Sequence, residues 1–236
     1  MKEFLKKQLS QSTITKLKTC YFLQRNWFQR LMYPYGRFVK TPLKINKNSK
    51  KTDRWLEIGP GSKRIPGFET LNIVWDWHVD YVADASGKLP FPDSIFDLVY
   101  ASHILEHIPW YQVQDVLNEW VRLLKPGGRI EIWVPDAYKI CKLLVDIEND
   151  KDRPEWHDGW RPFNDEDDPY KWVSGRLLYG AKREYPSWHL SLITPNYLKN
   201  LFEASGLIEN RALGQTEYRG YVDHGWINLG MTGTKP

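Results

Sequence analysis

Apolar positions along the chain follow two patterns that alternate. Short runs rich in β-branched and aromatic residues, "RWLEIG" (54–59), "TLNIVW" (70–75), "VDYVAD" (79–84), "FDLVYAS" (96–102) and "RIEIWVP" (129–135), predict strands. Between the last two, Val113, Val116, Leu117, Trp120, Val121 and Leu124 recur at helical spacing and predict one buried helix face. Pro109 suits the first turn of that helix, and "KPGG" (125–128) reads as its stop. A second helix is expected from Ala137, with Ile140, Leu143, Leu144 and Ile147 on one face. A third is marked by Thr194 as cap, Pro195 at the first helical position and Gly206 past the end. Strand followed by helix, repeated, implies an α/β, doubly wound, mostly parallel sheet with helices on both faces.

The strand and helix pattern starts near Thr52, and the polar, basic "KINKNSKK" (44–51) before it reads as a linker. The expected organisation is therefore a basic amphipathic extension with its linker at 1–51 and an α/β domain at 52–236, interrupted by an aperiodic insertion at about 151–190. Charge sharpens that division. Residues 1–51 carry thirteen Lys/Arg against the single acid Glu3, whereas 52–236 carry twenty against twenty-eight. Such an extension suits an anionic partner, either a membrane surface, a phosphorylated substrate or nucleic acid. It suits equally the acidic face of its own domain, because Tyr21, Phe22, Trp27, Phe28, Leu31 and Met32 are apolar enough to dock. A hydrophobic share of 42% over 236 residues excludes a disordered chain. Cys20 and Cys141 form no C-x-x-C pair, so neither a disulfide framework nor a cysteine metal site is suggested. No apolar run approaches the roughly 20 residues of a membrane span, and a cytoplasmic protein is expected.

Candidate chemistry begins after the first strand, where "LEIGPGSK" places Glu57, Gly59 and Gly61 at the carboxyl end that binds ligands in doubly wound sheets. Taken with "VADAS", "LPFPDSIFDLVYASHILEHIP" and "LLKPGGRIEIWVPD", this loop resembles the S-adenosylmethionine-dependent methyltransferases of the seven-stranded Rossmann-like class, type 11-like. "IPGFETLN", "LLYGAKREYPSWH" and the closing "GWINLGMTGTKP" are similar to a subgroup often associated with surface-polysaccharide biosynthesis, the last as a strand of a C-terminal antiparallel hairpin. The resemblance implies S-adenosylmethionine as cofactor. It implies that Gly59 and Gly61 line the cofactor's amino-acid end, with Glu57 orienting the loop. Asp84 would accept from the adenine amine, Ala85 would offer its amide, and Ser102 would sit beside the methionine portion. Two positions depart from the family pattern: Lys63 replaces the third glycine, and Val74 stands where an acid normally closes the second strand, which leaves Asp76 for the ribose. The link from Gly61 to Thr70 is shorter than a parallel crossover needs, so the first helix is expected to be abbreviated.

"ASHILEHIPW" (101–110) also contains H-x-x-E-H, a zinc-hydrolase pattern formed by His103, Glu106 and His107. Pro109 shortens any helix there, no third ligand is marked by motif, and the surrounding residues follow the methyltransferase pattern, so no metal is expected. For methyl transfer to oxygen, His103 and His189 are the candidate bases and Asp136 ends the fifth strand at the same rim. The expected acceptor, from resemblance, is a sugar or lipid-linked saccharide, met on the 151–190 side by aromatic residues. A small aromatic or quinone acceptor and a non-catalytic cofactor-binding scaffold are the alternatives. A saccharide acceptor would place the basic extension near an anionic membrane. No nucleic-acid recognition motif is present, and "ASHI" replaces the tetrad used in base methylation.

Overall fold

The computed structural model describes residues 27–151, 168–180, 188–221 and 224–236. The remainder of the basic extension, most of the insertion, and Cys20, Trp156, Trp160, Phe163 and Tyr185 lie outside the described residues. Seven strands, β1 (Trp55–Ile58), β2 (Glu69–Asn72), β3 (Tyr81–Val82), β4 (Phe96–Ser102), β5 (Leu124–Pro135), β6 (Ile208–Leu213) and β7 (Asn228–Thr234), form one sheet in the order β3-β2-β1-β4-β5-β7-β6. Strands β1 to β5 pair in parallel, and β7 runs antiparallel to both β5 and β6. This is the mostly parallel sheet that the sequence pattern implies, with the C-terminal hairpin that the resemblance implies. Among the described residues the helices that begin and end within view are α1 (Thr41–Asn48), α2 (Val113–Arg122), α3 (Ala137–Glu148), α4 (Pro169–Ser174) and α5 (Pro195–Ala204), and residues 27–35 are also helical.

Each long helix carries its own start signal. Thr194 accepts a bond from the Tyr197 amide at the head of α5, and Asp136 accepts from the Lys139 amide at the head of α3. The apolar faces of α2 (Val113, Val116, Leu117, Trp120) and α5 (Leu198, Leu201, Phe202) pack on Leu56, Val99, Ile130 and Ile132 in one buried cluster. Burying each such side chain stabilises the fold by about 1.5–3 kcal/mol. The opposite side of the central strands, at Leu98, Tyr100 and Trp133, is layered by Ile65, Phe68, Leu213 and Tyr218, which come from loop segments and the end of β6. Among the described residues no helix lies between β1 and β2 or between β2 and β3, so the expected abbreviation of the first helix is complete.

Three local expectations give way to tertiary context. β2 ends at Asn72 rather than Trp75, because Ile73 and Val74 emerge into solvent past the last β3 pairing. The "KPGG" stretch follows α2, which already ends at Arg122, but lies within β5, as an irregular segment that moves the β4 pairing from Phe96↔Leu124 to Leu98↔Arg129. The expected linker at 44–51 is largely helical, as the end of a stretch that runs from residue 27 through a wide turn at Gly36–Lys40 into α1.

That helical stretch is held to the β3 edge. Gly36 comes so close to the sheet that a Cβ there would lie 2.6 Å from Trp75 and 2.7 Å from Val82. Arg37 donates to the Val82 carbonyl and Thr41 Oγ1 accepts from the Val82 amide, so side chains satisfy backbone groups that an edge strand leaves open. Lys44 pairs with Asp80 at 2.9 Å. At the centre is Glu69, 1% exposed, which accepts two bonds from the buried Arg54 guanidinium and one from the Tyr81 hydroxyl. The Tyr81 hydroxyl in turn accepts from Asn48 of α1 at 2.8 Å. The described part of the basic extension thus meets the domain's own acids.

Removing one partner of a buried ion pair leaves the other unpaired, so Glu69→Leu should lower the unfolding free energy by about 3–5 kcal/mol in urea titration. Burial pushes the carboxyls of Glu69 and Asp80 up, but bonds and charges from Arg54 and Tyr81, and from Lys44 and Arg64, outweigh it and hold both below the usual range. The stability they contribute is therefore present above about pH 4 and lost as pH falls, which an acid melt should show as a loss that is smaller in the variant.

Candidate functional site

The carboxyl ends of the parallel strands converge on one rim. After β1, Gly59 and Gly61 take left-handed backbone angles (φ +73° and +59°), as a tight glycine turn requires. A Cβ on Gly59 would lie 2.1 Å from Ile104 Cδ1, whereas one on Gly61 would meet nothing within 4 Å. The turn after β4 therefore sits directly against the glycine loop, and the loop's tip faces open space. Glu57, buried on β1, accepts from the Ile65 amide at 2.8 Å and so pins the far end of the loop. Burial raises its carboxyl to about 7 against the opposing Ile65 bond and Arg64 charge.

The remaining cofactor candidates lie on the same rim. Asp84 is exposed just past β3 and accepts from both the amide and the hydroxyl of Ser86. Ala85 uses its carbonyl to accept from Trp120 Nε1. Ser102 closes β4, with its hydroxyl 3.0 Å from that of Tyr218. Asp76 lies in the loop after β2 with Oδ1 3.5 Å from His78 Nδ1, and His78 Nε2 is 3.1 Å from the Gly61 carbonyl. The residue that closes β2 is Asn72, so Val74 does not hold the position that the sequence reading gave it. The periodicity of "TLNIVW" concealed this, because nothing in it marks where the strand leaves the sheet.

A second group occupies the β4 side. His103 adopts φ +55°, a strained conformation for a residue with a Cβ, held by its amide donating to the Trp133 carbonyl at 2.7 Å. Its Nε2 lies 3.1 Å from Asn228 Oδ1, its Nδ1 lies 3.4 Å from the Glu106 carboxylate, and its ring stacks on His224 with centroids 3.4 Å apart. Glu106 is fully buried; burial opposes its ionisation, but the neighbouring imidazoles outweigh this and hold the carboxyl low. His189 packs edge-on against His107 at 5.2 Å, and burial lowers its imidazole to about 4, despite the Glu106 charge. The charge of buried Arg176 also acts on Glu106. Asp136 serves as the cap of α3, and its Oδ2 is 3.8 Å from Lys139 Nζ. The structure thus gathers His103 and His189 around Glu106 and places Asp136 at the head of a helix. Glu106 as hub, Arg176 and His224 were missed by sequence reading, since only the folded chain brings residues 176, 189 and 224 to the β4 turn.

Residues 67–132 match the family model of a methyltransferase domain. That segment runs from just before β2 into β5 and carries Asp76, Asp84, Ala85, Ser102, His103, Glu106 and His107. A sterol 4-C-methyltransferase of Caenorhabditis elegans is 32% identical over 100 residues, covering 42% of this chain and 27% of that protein. A ubiquinone/menaquinone biosynthesis C-methyltransferase of Pseudomonas savastanoi is 29% identical over 103 residues, covering 44% and 34%. The chain thus matches about a third of the length of these relatives. Among solved structures, an S-adenosylmethionine-dependent methyltransferase of Thermotoga maritima covers 89% of this chain and 96% of its own, with 16% identity and a TM-score of 0.48.

The methyltransferase-domain segment and the fold imply S-adenosylmethionine as the cofactor. The residues present fit such a ligand: an open glycine tip for the amino-acid end, His78 at the Gly61 carbonyl with Asp76 behind it, Asn72 at the end of β2, and the exposed Asp84 carboxylate past β3.

Because the folded-state carboxyl of Glu57 is raised, its contribution is fully present below about pH 4.3 and is lost as pH rises through about 7. Thermal melts between pH 4 and 8 should show the wild type losing stability up to about pH 7 and levelling off above it, with Glu57→Gln showing no such loss.

Proposed function

We propose that the chain is an S-adenosylmethionine-dependent methyltransferase acting on an oxygen of a sugar or lipid-linked saccharide. The observation that carries the reading is the contact of Ile104 with Gly59, which joins the glycine loop to the imidazole cluster at one sheet rim inside a methyltransferase-domain match. S-adenosylmethionine supplies a methyl group on a sulfonium whose departure as a neutral thioether needs no acid, so positioning and water exclusion fall to the protein. In this reading Gly59 and Gly61 hold the amino-acid end, Asp76 and Asn72 the ribose, Asp84 and Ala85 the adenine, and Ser102 the methionine portion. A hydroxyl acceptor also needs its proton received. His103, with Nδ1 beside the buried Glu106 carboxylate, and His189, near the same carboxylate, are the imidazoles that would receive it, His103 once its Nε2 is released from Asn228 Oδ1. Tyr179 and Trp188, half-exposed with ring centroids 6.0 Å apart, offer faces on which a sugar can stack.

A second reading, methyl transfer to carbon of a quinone- or sterol-like acceptor, is favoured by the names of the relatives. The two separate in a labelled-methyl screen, where saccharide products support the first and prenylated aromatic or sterol products the second. Calorimetry with S-adenosylmethionine and S-adenosylhomocysteine tests what they share. Micromolar binding is expected for the wild type and loss of binding for Gly59→Val, because the new side chain must enter the space of Ile104 at a left-handed backbone position. A wild type that binds neither compound overturns both readings. In a chain that does bind, His103→Asn should lower turnover by about 10²–10⁴-fold while leaving cofactor affinity within a few-fold.

We further propose that this acceptor is met at the inner, cytoplasmic face of an anionic membrane. No helix among the described residues is long and apolar enough to cross one. The segment 27–48 instead exposes Trp27, Leu31, Phe38 and Leu43, with Trp77 nearby, Arg30 and Lys47 on the same segment and Lys50 just past it. Retention of the whole chain on vesicles with anionic headgroups should fall steeply with salt and drop at least tenfold in Phe38→Glu/Leu43→Glu; equal retention on neutral vesicles would reject the assignment.

A further inference from the structure

The H-x-x-E-H pattern splits in the folded chain. The turn that carries it is a single 3₁₀ turn, Leu105–His107, so His103 and His107 do not share a helix face. His103 leaves toward Asn228 and His224. His107 meets His189 instead, and the ligand-capable atoms of Glu106, His107 and His189 lie within 4.8 Å of one another. We propose that these three residues form a zinc-class divalent metal site, held beside the cofactor rim.

Three observations support the site. The Glu106 carboxylate is 2% exposed and neither oxygen makes a hydrogen bond, its nearest imidazole nitrogen being His103 Nδ1 at 3.4 Å. A buried carboxylate without hydrogen bonds is costly unless a cation completes it. His107 Nδ1 lies 3.0 Å from the Trp188 carbonyl, which fixes the proton on Nδ1 and leaves Nε2 as the lone-pair donor. That outer bond is the usual support of a metal-bound imidazole. Finally, the ligands are set by the backbone and not by the ion: the amides of Leu190 and Ser191 both donate to the Glu106 carbonyl at 2.8 and 3.1 Å, Ser191 Oγ donates to the Ile108 carbonyl, and the His189 amide donates to the Leu178 carbonyl. Bonds of about 2.0–2.2 Å place tetrahedral ligands roughly 3.4 Å apart, so a rotation of the two rings closes the set.

Two imidazoles and one carboxylate suit Zn²⁺, Co²⁺, Mn²⁺ or Fe²⁺ and disfavour Mg²⁺ and Ca²⁺, which take oxygen ligands. Three protein ligands leave a position for an exogenous oxygen. On the methyl-transfer reading, that oxygen is the acceptor's hydroxyl, whose acidity the metal would raise; this role rests on the proposed function, whereas the site itself does not. Arg176 is the competing explanation for Glu106, because its buried positive charge acts on the same carboxylate.

The test uses the whole chain stripped with a chelator, with Zn²⁺ followed by calorimetry and Co²⁺ by visible absorption. One ion per chain is expected at micromolar affinity or better, with Mg²⁺ at least 100-fold weaker. His189→Ala and Glu106→Gln should each weaken Zn²⁺ by more than 100-fold, and His107→Ala likewise, while His103→Asn changes it less than tenfold. A thermal melt monitors folding, and Zn²⁺ should raise the midpoint of the wild type and of His103→Asn alone. Absence of stoichiometric binding, or equal binding by all four variants, overturns the site and leaves Glu106 to Arg176. Cofactor calorimetry on the metal-free protein is read separately, so the site and the methyl-transfer reading can fail independently.

Discussion

The buried carboxylate of Glu69 is the constraint on which the first half of the fold depends. It sits on β2, yet its partners come from Arg54 ahead of β1, Tyr81 of β3 and, through Tyr81 and Lys51, the end of the N-terminal helical stretch. Parallel neighbours normally owe their order to a crossover helix that packs back on the sheet. Here the described crossovers from β1 to β2 and from β2 to β3 have none. The ion pair, its phenol and the helix laid along β3 take that place. A buried pair of this kind adds little net stability over an apolar equivalent, but it tolerates only one arrangement of the four segments, which is what a sheet edge with short loops needs.

Short crossovers have a consequence for the rim. The segment 59–68 has no helix to bury, so Ile65 and Phe68 cover the sheet themselves, and the Ile65 amide reaches back to Glu57. The glycine loop is thereby tied down at its far end and left open at Gly61. On its near side Ile104 fills the space that any side chain at Gly59 would take. That apolar contact sets the glycine loop directly against the turn that carries the imidazole groups. Displacing the β4 turn would disturb both at once.

Most of the sheet was legible because its signals are local. β4 coincides with "FDLVYAS", α3 begins at the expected Ala137, and α5 begins where its cap predicts, since Thr194 bonds the Tyr197 amide. Elements decided by distant partners were not legible. The polar run 44–51 looks like a linker, but Asn48 and Lys51 find Tyr81 and Glu69 only in the folded chain. Ile73 and Val74 look like strand residues and are exposed, so the residue closing β2 was misplaced by two. At the site, the glycines were readable from the turn they require. The hub role of Glu106 was not, because Arg176 and His189 approach it from segments remote in sequence.

The β4 turn shows why spacing alone misleads there. H-x-x-E-H forms a metal-binding face only if the backbone is helical throughout, placing residues one turn apart on one side. Here the chain reverses at His103 in a left-handed conformation that costs about 1–3 kcal/mol, and regular structure resumes for just three residues. The strain persists because the His103 amide is bound to the Trp133 carbonyl and its ring is held between Asn228 and His224. What the strain achieves is separation. It sends one imidazole to the strand side and frees Glu106 and His107 to meet the segment 188–191, so the chemistry of the motif is completed by His189 across the turn and not by its own first residue.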